Sequence, residues 1–252
     1  MIGGGQLARM MHAASIGLGL RLRLLAEGPD VSAAQVVHEV SVGDYTDPAT
    51  VAAFAAGCDA ITFDHEHVPT AILHELEAAG VAVRPGPDAL VHAQDKAVMR
   101  SRLTALGVPC PANRVVADAS ELIAFGDELG WPVIAKTSRG GYDGKGVWKL
   151  DGPAQAQLPF DGLHGLSRDA VVIAEEFVDF ARELSVLVVR RVGGQAVAYP
   201  VSETVQTDGI CTATVTPAPG LGADTERVLK AMAMRIAEAL GVVGVLAVEL
   251  MQ

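Results

Sequence analysis

The sequence predicts an α/β chain in two parts: a doubly wound parallel sheet at the N-terminus, then an α+β domain built on antiparallel sheets. Three observations predict it. Up to Arg84, short apolar runs alternate with amphipathic stretches, the βαβα rhythm of a parallel sheet. Pro85-Gly86-Pro87 then interrupts the pattern and marks a boundary. From Ala170 onward, strands follow one another with only short turns between them, as in an antiparallel sheet. The two domains are expected at residues 1–90 and 91–252.

In the first part, Gly3-Gly4-Gly5 leads into a helix over 6–18, where Leu7, Met10, Met11 and Ala14 recur at helical spacing. Residues 20–26 alternate Leu with Arg and read as a strand. Asp47-Pro48 supplies an N-cap and a proline at N1, starting a helix that runs to residue 56. A strand over 59–63 ends in Asp64-His65-Glu66-His67, and a helix over 69–79 and a strand over 81–84 follow. Such sheets bind ligands beyond the carboxyl ends of their strands, and residues 3–7 and 64–67 both fall on that edge. In the second part, Asp95 caps a helix running to residue 106, ended by Gly107 and Pro109. A helix over 120–129, a buried strand over 133–136 and a glycine-rich loop over 137–146 come next. Residues 151–168 are weakly patterned loop with some helix. Strands are expected at 171–177, 184–190, 195–202 and 210–216, with Gly193-Gly194 marking a hairpin. A helix over 224–240 leads to a final buried strand over 242–250.

Composition narrows the function. The 252 residues suffice to bury a sizeable core. A formal net charge of -11 argues against general nucleic-acid binding but not against a local phosphate site. Cys58, Cys110 and Cys211 have no paired spacing and read as small buried residues in a reducing compartment. No stretch has the apolar length of a membrane span. Arg9, Arg21 and Arg23 spoil the N-terminus as a signal peptide, so a cytoplasmic protein is expected.

Several residues carry chemistry. The four glycines of Gly140-Gly141-Tyr142-Asp143-Gly144-Lys145-Gly146 let the backbone turn tightly and present N–H groups to an anion. Arg139 and Lys145 add positive charge, Tyr142 a ring and Asp143 an acceptor. The loop reads either as a closure over nucleotide phosphates or as a flexible hairpin tip; it is neither a Walker A loop nor GxGxxG. Lys136 ends an apolar strand, and Lys96 opens a helix where its charge opposes the dipole. Two lysines from separate elements beside a glycine loop form a triphosphate clamp; the bland reading of each is a solvated charge. Glu175-Glu176-Phe177-Val178, at a strand end, offers backbone groups to an adenine edge and a carboxylate to ribose, with Glu183 following; the alternative is a pair of exposed carboxylates. Glu249 lies in an apolar strand, where a lone carboxylate is costly. It reads as a ligand for a hard cation such as Mg2+, or as the outward face of a one-sided strand. His65 and His67 point together from one strand, but no third ligand at zinc spacing follows; they are expected to line a phosphate-containing cleft or the surface.

Together these residues resemble the ATP-grasp superfamily, and within it the N5-carboxyaminoimidazole ribonucleotide synthetase family, the ATPase/carboxylase component of bacterial purine synthesis. The closest motifs are Gly3-Gly4-Gly5-Gln6-Leu7-Ala8-Arg9-Met10, Thr62-Phe63-Asp64-His65-Glu66-His67-Val68-Pro69 and the loop at 140–146. Weaker ones are Gln94-Asp95-Lys96, Gln206-Thr207-Asp208-Gly209-Ile210 and the stretch 244–249. The resemblance implies a pre-ATP-grasp domain followed by an ATP-grasp domain with a lid over about 112–174. It implies that Lys96 and Lys136 bind ATP phosphates and that Gly141, Tyr142, Asp143, Gly144, Lys145, Gly146 and Val147 close over them. Glu175, Glu176, Phe177 and Val178 would hold adenine, Glu183 the ribose, Gln206 a further nucleotide contact, and Glu249 the first Mg2+. Gly5, Gln6 and Leu7, at a helix N-terminus, would receive 5-aminoimidazole ribonucleotide, with Glu66 against its imidazole. Tyr142, Asp143 and Lys145 would lie between nucleotide and substrate and serve catalysis. The implied reaction is ATP-driven carboxylation of the exocyclic amine by bicarbonate through carboxyphosphate, by a homodimer with no nucleic-acid or membrane partner.

The chain departs from that pattern at both ends. Only Met1-Ile2 precede the glycines where a full strand is expected, and the ATP-grasp part stops at Gln252. There the family continues with an Asn-Glu metal ligand, an Arg- and His-containing substrate segment and a small C-terminal domain. The expectation is an incomplete catalytic half that cannot finish the reaction alone. Other readings are a different ATP-grasp ligase, using formate or biotin, a dinucleotide oxidoreductase, or a non-catalytic nucleotide-binding module.

Overall fold

The computed structural model describes residues 1–141, 145–163 and 170–252. The chain divides into two compact units, Met1–Leu90 with Gly241–Gly244, and Val91–Leu240 with Val245–Gln252. Tyr142, Asp143 and Gly144 lie outside the described residues.

The first unit contains α1 (Gln6–Gly17), β1 (Arg23–Ala26), β2 (Glu39–Val42), α2 (Pro48–Ala55) and α3 (Thr70–Ala78), and the chain leaves it through α4 (Pro87–Gln94). Its strands are parallel. β1 pairs with β2 from Arg23↔Glu39 to Ala26↔Val42. On the other side Ile2 bridges both Leu25 and Phe63, and Ile61 bridges Val83. The order across the sheet is therefore β2, β1, Ile2, Ile61 to Phe63, Val83. Side chains alternate between two apolar cores, as strand geometry requires. Ile2 and Leu25 pack with Phe54, Leu73 and Val83 on one face. Met1, Leu24 and Ala26 pack with Ala8 and Ala33 on the other. Both faces are covered, which is the doubly wound arrangement.

The second unit holds α5 (Lys96–Ala105), β3 (Asn113–Val116), α6 (Ala119–Leu129), β4 (Val133–Thr137), β5 (Val147–Leu150), α7 (Leu158–Asp161), β6 (Val172–Glu176), β7 (Glu183–Arg190), β8 (Ala196–Ala198), β9 (Ser202–Thr207), β10 (Ile210–Val215), α8 (Ala223–Ala239) and β11 (Gly244–Met251). One antiparallel sheet runs β3-β6-β4-β5. Its Val133, Ala135, Val172 and Ala174 pack with Leu122, Phe125 and Leu150 under α6. The second sheet runs β10-β9-β7-β11, with β8 also on β7 and α8 across β7 and β8.

Several sequence expectations need correction. The α1 stripe of Leu7, Met10 and Met11 is exposed, and the helix packs through Ala8 and Ser15 instead. A helix lying close on a sheet needs small residues at the contact, and Ala8 meets Ala26 and Ala33 there. The strand expected at 195–202 is only β8, because Pro200 cannot donate to a ladder, and β9 beyond it was not expected. β2, with the half-exposed sequence Glu-Val-Ser-Val, gave no buried run to recognise. The final strand is not buried: β11 alternates half-buried and exposed positions, with Glu249 exposed. Cys211 is likewise exposed, on β10, while Cys58 and Cys110 are partly covered, and all three are free thiols.

One charged side chain is buried in the β3-β6-β4-β5 sheet. Glu175 is 3% exposed. It receives Arg100 Nε at 2.5 Å, Arg100 Nη2 at 3.3 Å and Lys136 Nζ at 2.7 Å. Burial opposes its ionisation, but the Arg100 hydrogen bond and the charges of Lys136 and Arg100 outweigh burial and hold the carboxyl below the ordinary 4.5. A depressed folded-state value adds stability that is fully present above 4.5 and is lost as pH falls through the lower folded value. The second unit is therefore expected to lose urea resistance below pH 4.5, and Glu175→Gln is expected to flatten that dependence. Both tryptophans, Trp131 and Trp148, lie in this unit, so their fluorescence reads it alone. The same probe tests packing. A Cβ on Gly126 would lie 2.4 Å from Trp131 Cζ2, whereas one on Gly152 meets nothing within 4 Å. Gly126→Ala should cost about 1–3 kcal/mol, and Gly152→Ala under about 0.5 kcal/mol.

Candidate functional site

The first unit builds its site at the point where strand order reverses. Ile2 sits between β1, reached next along the chain, and Phe63, reached later. The segments leaving these strands diverge, which opens a crevice at their carboxyl ends. Gly3-Gly4-Gly5 crosses it into α1. Space and conformation both demand glycine. Gly3 has φ +100, and a Cβ there would lie 1.6 Å from Asp64 Oδ1; one on Gly4 would lie 2.3 Å from Val31 Cγ2. A cavity of about 480 Å³ results, lined by Gly4, Gly5, Gln6, Leu7, Glu27, Val31, Ser32, Asp64 and His65.

Two carboxylates already use the turn's donors. Gly4 N–H donates to Glu27 Oε2 at 3.1 Å, and Gly5 N–H to Asp64 Oδ2 at 2.6 Å. Ser32 Oγ donates to Gln6 Oε1 at 2.9 Å. His67 N–H donates to His65 Nδ1 at 3.1 Å, so in the neutral ring Nε2 carries the proton. That Nε2 lies 3.4 Å from Glu27 Oε1. The cavity thus presents carboxylate acceptors to a ligand's hydroxyl or amine groups, beside the N-terminus of α1. Gly5, Gln6 and Leu7, the residues the sequence singled out, are among the lining. Glu66 is half-buried and lies one residue beyond the lining. Glu27 and Ser32 were missed; the usable signal for Glu27 is its position directly after β1, on the same strand edge.

In the second unit the site gathers where β4 meets β5. Val133, Ala135 and Thr137 face the core, so Lys136 faces the other side, as does Glu175 on β6. The glycine loop is a hairpin: Lys136 pairs with Val147, and Thr137 N–H donates to Gly146 O at 2.9 Å. Gly141 and Gly146 pack on the Thr137 side chain, where Cβ atoms would lie 3.0 Å and 2.4 Å from its Cγ2. The described ends of the loop thus form the base of a hairpin. Lys145 belongs to its described part, and Tyr142, Asp143 and Gly144 do not.

Helix α5 is tied to this edge. Asp95, its N-cap, accepts Ala97 and Val98 N–H at 2.9 and 3.2 Å and Arg139 Nε at 2.7 Å. Lys96 N–H donates to Ser138 O at 2.9 Å. Arg139, expected to add positive charge, is paired with Asp95. Glu175 is buried and bound to Arg100 and Lys136, so the alternative of a pair of exposed carboxylates does not hold for it. Glu176 is exposed and accepts Ala112 N–H at 3.2 Å; Phe177 and Val178 are half-buried, with Lys149 Nζ 4.6 Å from the Phe177 ring centroid. Glu183, Gln206 and Glu249 sit on the second sheet, on adjacent strands β7, β9 and β11. Arg100 was missed, and an arginine amid a polar helix carries no sequence signal of its burial partner.

Comparison with known proteins follows the same division. The family model for the ribonucleotide synthetase preATP-grasp domain matches residues 1–94, and that for the ATP-grasp domain matches residues 101–252. The N5-carboxyaminoimidazole ribonucleotide synthase of Mycobacterium tuberculosis (strain ATCC 25618 / H37Rv) is 49% identical over 253 residues, covering 100% of this chain and 58% of that protein. The chain thus spans a little over half the length of this relative. The structure of N5-carboxyaminoimidazole ribonucleotide synthetase from Thermus thermophilus superposes with a TM-score of 0.88 at 34% identity, covering 100% of this chain and 68% of that one. The Aspergillus clavatus synthase, solved with ADP and 5-aminoimidazole ribonucleotide, matches with a TM-score of 0.88 at 26% identity over 99% of this chain and 65% of that one. Two domains in family order, aligned end to end with a relative two-thirds covered, mean that the chain belongs to the N5-carboxyaminoimidazole ribonucleotide synthase family of ATP-grasp proteins.

Proposed function

We propose that this chain carries the ATP-binding and ribonucleotide-binding parts of an enzyme that makes N5-carboxyaminoimidazole ribonucleotide from 5-aminoimidazole ribonucleotide, bicarbonate and ATP, in the cytoplasm and as a homodimer. The supporting observation is the pair of glycine-built turns, Gly3-Gly4-Gly5 beside two carboxylates and the Gly141 to Gly146 hairpin beside Lys136. One turn suits a polyol or amine with an anionic end, the other a polyphosphate.

In this reading Lys136, with Lys96 and Lys145, neutralises the ATP phosphates, and the hairpin with Tyr142, Asp143 and Gly144 covers them. The strand end Glu176, Phe177 and Val178 holds adenine, and Glu183 and Gln206 hold sugar or phosphate. Bicarbonate oxygen attacks the γ-phosphorus and ADP departs, giving carboxyphosphate. Its breakdown releases phosphate and CO2. The exocyclic amine then forms a C–N bond to CO2 and loses a proton, giving the carbamate. Glu27 and Asp64 accept hydrogen bonds from the ribonucleotide's hydroxyl or amine groups, while Gln6 and Leu7 backbone N–H groups at the start of α1 face its phosphate. The chain contributes position and charge, and exclusion of water from a labile acyl phosphate.

Mg2+ fits this site in a limited way. Among the described residues no group of three His, Cys, Asp or Glu side chains converges, and Glu249 offers a single exposed carboxylate. One carboxylate suits an ion that keeps waters and phosphate oxygens as its other ligands. When bound, it would neutralise charge on the transferring phosphoryl group.

Calorimetric titration of the chain with ATP, 5-aminoimidazole ribonucleotide, glycinamide ribonucleotide and biotin tests the reading. Saturable binding of the first two is expected; preference for glycinamide ribonucleotide or biotin would replace it with another ligase of the superfamily. Lys136→Met is expected to weaken ATP about 30-fold by removing a charge-assisted contact, with the ribonucleotide unaffected. Glu27→Ala should do the converse, weakening 5-aminoimidazole ribonucleotide about tenfold while ATP affinity holds within about twofold.

A further inference from the structure

Glu175 is bonded by two cations at once, and one of them, Arg100, has no part in the nucleotide contacts set out above. We propose that Arg100 is a positioning residue for Lys136: by bonding both oxygens of the Glu175 carboxylate, it leaves the Lys136 ammonium aimed and electrically available to an anionic ligand. This rests on the nucleotide reading and adds a residue to it.

The geometry carries the inference. Arg100 contacts both oxygens of Glu175, through Nε to Oε1 at 2.5 Å and Nη2 to Oε2 at 3.3 Å, and Lys136 Nζ shares Oε2 at 2.7 Å. The three side chains are 16%, 3% and 17% exposed, so the group is largely withdrawn from water. In such surroundings a lone Lys136–Glu175 pair would be neutral, and the carboxylate would hold the ammonium for itself. With Arg100 present the three charges sum to one positive. A guanidinium suits this task because it is permanently charged and its planar fork spans a carboxylate. An ammonium has three donors, of which Glu175 takes one.

The helix that carries Arg100 is fixed to the strand that carries Lys136. The first N–H of α5 donates to Ser138 O, two residues beyond Lys136, and its N-cap Asp95 is gripped by Arg139. Arg100 lies one helical turn further along α5 and reaches back to the same sheet. Its reach to Glu175 is therefore set by two anchors at the end of β4.

A merely structural Arg100 would stabilise the buried carboxylate and affect every ligand alike. A double-mutant cycle in the 252-residue chain separates the two roles. ATP and adenosine are titrated into wild type, Arg100→Met, Lys136→Met, the double variant and Arg100→Lys, with tryptophan fluorescence monitoring the fold. Arg100→Met is expected to raise the Kd for ATP about tenfold, the size of one lost nearby charge, and to leave adenosine within about twofold. In the Lys136→Met background the same change should cost less than about threefold. Arg100→Lys, which keeps the charge but loses the fork, should lose less ATP affinity than Arg100→Met. Unchanged ATP affinity in a folded Arg100→Met, a parallel loss of adenosine, or an equal loss without Lys136 overturns the proposal. Should Arg100→Met fail to fold, Arg100→Lys decides: a tenfold loss of ATP there overturns it. A wild-type chain that binds 5-aminoimidazole ribonucleotide but no ATP removes the nucleotide reading itself, which is a separate failure.

Discussion

An ionised carboxylate withdrawn from water has to be shared with positive charge, and in this protein the sharing ties three elements together. Glu175 on β6 is bonded by Lys136 from the neighbouring β4 and by Arg100 from α5. Because the bonds run from a helix to a sheet, they set the height and rotation of α5 at the end of β4. The Asp95 cap and the Ser138 carbonyl then fix its first turn. The glycine hairpin springs from that same strand end, so its base stands on a scaffold of charge pairs. The core under α6 lies on the opposite face of the sheet, and the charges share this face with the buried Ile173.

The N-terminal unit solves a related problem with the signs reversed. Its glycine turn exposes backbone N–H groups at the start of a helix, an arrangement that attracts anions. Glu27 and Asp64 supply those anions from within the chain. The cavity is consequently acidic at its rim and electropositive only at the first turn of α1. That polarity suits a ligand with donors at one end and a phosphate at the other, and suits a bare inorganic anion poorly.

Much of this was legible in the sequence, and the exceptions share a cause. Helices with a side-chain cap, such as α2 after Asp47 and α5 after Asp95, could be read because the cap is local chemistry. The glycine turns were legible for the same reason. β2 and β9 escaped notice because both are polar and at most half-buried. Glu249 read as buried because its neighbours are apolar, yet β11 turns alternate residues outward, and hydropathy averaged along a strand does not report which face is covered. Leu7, Met10 and Met11 misled in the opposite sense, since α1 makes its close contact through Ala8. At the two candidate sites, the residues beside a motif were singled out from the sequence, while Glu27, Ser32 and Arg100 were not. Each of these is brought to its site from a distance along the chain that only the folded sheet closes.

The fit of Gly3 has an implication for how this chain can vary. The atom it lacks would overlap Asp64 Oδ1 almost completely, at 1.6 Å, in a backbone conformation already unfavourable for L residues. The conflict arises at the first carbon of any side chain, so even alanine would force the Asp64 carboxylate to move. Gly19 has a similarly positive φ of +67 but open space around it, and asparagine or aspartate is tolerated in such a conformation. Drift is therefore graded by residue type at Gly19 and closed at Gly3, unless Asp64 changes in step. The two positions are linked as one unit of inheritance, although they stand 61 positions apart in the sequence.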